Sequence, residues 1–88
     1  MTLEQNAIKL HAEVYGWVYE GAETVLTDKC VSIHVLLLWC SRLEMLVNQS
    51  KKLALAVQTE QAKRAWVKAR DLEKRMKERY KREYGGEY

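Results

Sequence analysis

The chain has 88 residues, of which 48% are hydrophobic and 31% charged, with a formal net charge of +3. It has no proline and four glycines, Gly16, Gly21, Gly85 and Gly86, which excludes a turn-rich β-sandwich or barrel. The length excludes a Rossmann unit or a TIM barrel. The expected architecture is all-α: one domain over 1–88, a small helical bundle or a helical hairpin of two to three long helices.

Thr2 with Gln5 three residues later has the form of a capping box and opens the first helix, expected over 3–25. At about 100° per residue, Leu3, Ile8, Leu10, His11, Val14, Trp17, Val18, Ala22 and Val25 share one broad face. Lys9, Glu13, Gly16, Glu20 and Glu23 lie opposite. Gly16 sits on the polar face, where glycine costs about 1 kcal/mol of helix stability and nothing in packing. Gly21 lies near the edge of the apolar face, where it permits either close helix approach or an early end.

Leu26 to Lys29 reads as the first turn, with Thr27 or Asp28 capping the next helix. That helix is expected over 29–47 or longer. Thirteen of the eighteen residues from Cys30 to Val47 are hydrophobic. Ile33, Leu36, Cys40, Leu43 and Val47 form a central stripe. Leu38 and Trp39, with Val35, Leu37, Met45 and Leu46, cover most of the remaining circumference. A helix apolar on nearly every side must be covered on nearly every side. Two partner helices of so short a chain are not expected to suffice. The sequence therefore predicts completion by oligomerisation, with Ile33, Leu36, Leu38, Trp39, Cys40, Leu43 and Val47 as the oligomer or partner interface.

Three endings of this helix are compatible with the sequence. Ser50 caps a third helix over 51–84, or Thr59 followed by Glu60 does so later, or one helix continues unbroken from residue 29. The final segment carries a narrow seam, Ala62, Ala65, Ala69, Leu72 and Met76, at the 3-4-3-4 spacing of a coiled coil. Gly85-Gly86 is the expected C-cap and 85–88 a frayed tail.

The mild net charge conceals an asymmetry. Residues 1–50 carry three basic and six acidic side chains; residues 51–88 carry twelve and six. Lys63, Arg70, Lys74, Lys77 and Lys81 fall on one face of the last helix, with Trp66 beside them. Arg64, Lys68, Arg75, Arg79 and Arg82 form a second band. Such a cationic face suits a nucleic-acid backbone or an acidic partner. The same segment holds four acid-first i,i+4 pairs, Glu60 to Arg64, Asp71 to Arg75, Glu73 to Lys77 and Glu78 to Arg82, which suit a solvated, self-supporting helix.

Catalytic and ligand-binding signals are weak. There is no Gly-rich phosphate loop, and Glu20 and Glu23 lie on the solvated face of the first helix. His11 sits in the middle of an apolar face, where a core or interface histidine with one ring nitrogen bonded is expected. Cys30 and His34 could share a helical face but make only half of a structural zinc site. No catalytic residue, cofactor or metal ligand is assigned. Cys30 and Cys40, read as small buried hydrophobes, suit a reduced, cytoplasmic protein. The longest nearly uncharged run, Cys30 to Ser41, is too short to span a bilayer. The expected function is a non-enzymatic adaptor, regulator or inhibitor that binds itself and a partner protein. The alternative is a nucleic-acid-binding accessory protein.

Overall fold

A computed structural model describes residues 2–85. It contains three α-helices of 25 residues each: α1 (Leu3–Thr27), α2 (Ile33–Val57) and α3 (Glu60–Tyr84). Contacts between elements fix the directions. Gly21 and Trp17 of α1 meet Trp39 and Arg42 of α2 in that order, and the short linkers 28–32 and 58–59 each reverse the chain, so each neighbour pair in sequence is antiparallel. Tyr19 and Glu23 of α1 reach Ala65 and Lys68 of α3, so the first and third helices run parallel. The result is an up-down-up bundle of 45 × 19 × 16 Å.

The Thr2 capping box forms in both directions: Thr2 Oγ1 accepts from the Gln5 amide, and Gln5 Oε1 accepts from the Thr2 amide. α1 continues two residues past the expected end because Thr27 stays helical, its hydroxyl donating to the Thr24 carbonyl. Neither Thr27 nor Asp28 caps α2. Asp28 instead accepts from the Cys30 amide, an Asx turn within the linker, and Ser32 is the N-cap, accepting from Val35 N–H.

The single long helix is ruled out, and so is the break at Ser50. Ser50 is buried in mid-α2, its hydroxyl donating back to the Leu46 carbonyl at 2.7 Å. The break falls at Gln58, which takes the left-handed conformation at φ 56°, followed by Thr59 as N-cap of α3. Gly85 ends α3 with φ 66°. Gly86 and the expected tail beyond it lie outside the described residues.

The core is Val18 and Ala22 of α1, Leu36, Trp39, Cys40, Leu43 and Leu46 of α2, and Ala69, Leu72 and Met76 of α3. The alanines of the α3 seam let α2 approach closely, and α1 closes the groove between them. The two neighbours therefore cover far more of α2 than its composition predicts. Gly21 makes this possible on the α1 side: a Cβ there would lie 2.3 Å from the Trp39 ring.

Candidate interaction surface

Most of the residues expected at an oligomer interface are consumed by the chain's own core. Leu36, Cys40 and Leu43 are fully buried, Trp39 nearly so, and Ile33 and Val47 are half-buried. This corrects the expectation that they face a partner: α1 and α3 reach them first. Leu38 is different. It points away from both neighbours and is 47% exposed.

Leu38 does not stand alone. Met45, two turns along α2, is 45% exposed, and on α1 Leu10, Val14 and Trp17 are 60%, 47% and 54% exposed. Leu10, Val14 and Trp17 follow the i, i+4, i+7 spacing of one helical stripe. Arg42, between Leu38 and Met45 in the α2 sequence, joins the two stripes. Its guanidinium lies 5.3 Å from the Trp17 ring centroid and 4.8 Å from that of Trp39. The two indoles meet edge to face at 6.3 Å. The α1–α2 side of the bundle thus presents an apolar strip with a cation stacked across its middle.

This face stays open because α1 is thinly anchored. Only His11, Val18 and Ala22 are buried on it, against seven residues on α2. Its anchors are partly polar. His11 Nε2 lies 2.9 Å from the Tyr19 hydroxyl, which donates to the Ala65 carbonyl of α3 at 3.2 Å. Burial lowers the His11 pKa and pushes the Tyr19 phenol up to about 12, so both are neutral near pH 7. His11 is therefore a bonded interior histidine.

A second anchor was not legible as such. Arg79, expected in a solvated cationic band, is buried: its side chain is 5% exposed. Its Nη1 and Nη2 donate to the carbonyls of Val25 and Asp28 at the end of α1, and its Nε donates to Glu83. The signal was present in the spacing. The seam Leu72, Met76 continues at i+3 to Arg79. Tyr84 adds a third tie, its hydroxyl donating to the Val31 carbonyl in the linker.

The remaining α3 cations separate into two groups. Lys77 is ion-paired with Glu44 of α2 at 3.2 Å and with Glu73 at 3.6 Å, so it belongs to the helix–helix seam and not to an open cationic face. Arg64 and Arg75 are paired with Glu60 and Asp71, and Lys68 with Glu23. Lys63, Arg70, Lys74, Lys81 and Arg82 are exposed, and among the described residues no carboxylate comes within ion-pair distance of them; Arg82 lies off the line of the other four. Trp66 is half-buried beneath the Arg70 guanidinium, 5.4 Å from its ring centroid. Its indole Nε1 is buried without a hydrogen-bond partner among the described residues.

Cys30 is exposed in the linker ahead of the α2 N-cap, so it is neither a buried hydrophobe nor on a helical face with His34. Among the described residues no group of three or more His, Cys, Asp or Glu side chains could hold a metal ion. No described helix is long and apolar enough to cross a membrane. Family models, curated proteins and solved structures show no significant match to this chain.

Proposed function

We propose that the chain is a small non-enzymatic helical interaction module, an adaptor, regulator or inhibitor that acts by covering a partner's surface. Its docking face is the open α1–α2 strip of Leu10, Val14, Trp17, Leu38 and Met45. The observation that carries this reading is that these five side chains, all close to half exposed or more, lie on α1 and α2 where Arg42 stacks between the two helices, whereas the other strongly exposed hydrophobics, Leu3, Leu55 and Val67, are scattered. Isolated exposed hydrophobics are ordinary, whereas contiguous ones mark interaction sites. Trp17 with Arg42 across it supplies the residue types that dominate binding energy at protein interfaces.

A second copy of the chain is the simplest occupant. Sedimentation velocity over low to high micromolar concentrations tests it. A dimer is expected in the wild type, and a monomer of unchanged helicity in Trp17→Ala/Leu38→Ser. A strict monomer throughout removes the second copy as occupant and leaves a different protein in that role.

A further inference from the structure

We propose that the row Lys63, Arg70, Lys74 and Lys81 on α3 is a binding site for the phosphate backbone of a nucleic-acid duplex. This goes beyond the α1–α2 docking reading and uses a different face. The four residues follow 7-4-7 spacing, so they recur on one helical line over a rise of about 27 Å. α3 is unbroken through this stretch, which holds the row straight.

The ion pairs are what distinguish this row from a solvated face. Dilution by neighbouring acids is the ordinary fate of a mixed-charge helix. Here Glu60 is taken by Arg64, Asp71 by Arg75, Glu73 by Lys77 and Glu83 by Arg79. Arg64, Arg75 and Arg79 lie off the row, and Lys77, at its edge, is held by Glu44 of α2 as well. The acids of α3 therefore spend their charge elsewhere, apart from Glu78, which flanks the row and has no ion pair among the described residues.

Two further observations select the ligand. A single-stranded nucleic acid needs aromatic platforms for base stacking. The aromatic nearest the row, Trp66, is roofed by Arg70, and Tyr84 is tied to the Val31 carbonyl. A backbone contact needs no such platform. An acidic protein would need an apolar anchor within the row, and lysine is depleted at protein interfaces. Three of the four cations are lysines, and Val67 is the single apolar side chain between them on that line.

Fluorescence anisotropy with labelled 20-base-pair DNA and RNA duplexes, the matching single strand and poly-glutamate tests the proposal. Four neutralised phosphates give a slope of log K against log salt of about −3.6, so affinity for the duplexes falls on the order of 100-fold from 50 to 200 mM salt. Lys63→Gln/Arg70→Gln/Lys74→Gln/Lys81→Gln is expected to lose at least about 30-fold at 50 mM salt. Lys9→Gln/Arg64→Gln/Lys68→Gln/Arg75→Gln, with the same charge change in paired cations, is expected to lose less than about threefold. Glu78→Gln is expected to tighten binding. Trp17→Ala/Leu38→Ser is expected to leave it unchanged, which separates this site from the docking face. Equal loss in both quadruple variants, a shallow salt slope, preference for the single strand, equal binding of poly-glutamate, or no duplex binding by the wild type overturns the proposal. The relative affinity for DNA and RNA duplexes identifies the natural source.

Discussion

Arg79 offers the sharpest test of the packing account, because sequence and structure assign it opposite roles. As part of a solvated band its removal would cost almost nothing. In the structure its guanidinium donates to two carbonyls at the C-terminal end of α1, that of Asp28 and that of Val25, which also accepts from the Asp28 amide, and it sits at the negative end of the helix dipole. Each hydrogen bond to a charged group contributes about 1.5–3 kcal/mol. Water can reach part of this site once the side chain is gone, so Arg79→Ala is expected to cost about 3 kcal/mol, the lower end of the sum. For a chain of this length that corresponds to a fall in melting temperature of roughly 12–24 °C. Arg79→Lys keeps the charge but loses the two-pronged geometry and is expected to cost about half as much. Glu83→Gln removes only the half-exposed third partner and should cost less than about 1 kcal/mol. Thermal and urea melts followed by circular dichroism give these values. Stability of Arg79→Ala within about 0.5 kcal/mol of wild type, the range of an ordinary surface change, would refute the clamp.

Other substitutions probe the rest of the bundle. Gly21→Ala drives a methyl into the Trp39 ring and is expected to destabilise by about 1–3 kcal/mol, whereas Gly16→Ala, with nothing within 4 Å of its Cβ, is expected to stabilise by up to about 1 kcal/mol; the same melts decide both, and equal effects contradict the packing of α1 on α2. Burial lowers the His11 pKa, so the unfolded chain takes up this proton first: the stability His11 contributes is complete above about 6.5, the ordinary histidine value, and is lost as pH falls through and below it. Urea midpoints at pH 7.5 and 5.0 should therefore differ less in His11→Gln than in wild type; an equal drop contradicts the assignment. Burial pushes the Cys40 thiol up, while Cys30 is exposed. A thiol reagent should consume one equivalent in the native protein and two after denaturation, and Cys30→Ser should abolish the native reaction.

The elements with strong local signals were legible in the sequence. Thr2 and Gln5 specified the start of α1, and the alanine seam specified the buried face of α3 through Met76. The α2–α3 break was visible only as one of three options, since Gln58 adopts a positive φ without being glycine and Thr59 is one cap candidate among several. The start of α2 was misplaced for a similar reason: Thr27 and Asp28 are good capping residues that the structure uses for other local bonds. Sequence could not distribute the surplus hydrophobics of α2, because a helix apolar on most sides has no preferred phase until its neighbours are placed. Leu36 and Leu38 read alike as interface residues, yet one is fully buried and the other half exposed. The docking strip depends on two helices meeting: Trp39 and Arg42 are i,i+3 neighbours on α2, but the approach of Trp17 to both leaves no trace in either helix alone.

The central claim, that the open α1–α2 strip is a protein-binding face, is tested most directly by a photo-cross-linking residue at position 38 compared with one at position 16, on the solvated face of α1, in the source cell. The account predicts one discrete protein adduct from position 38, either a doubled chain or a single partner. It further predicts loss of that adduct with Trp17→Ala and none from position 16. Diffuse labelling from both positions, or a discrete adduct from position 16 alone, would contradict it.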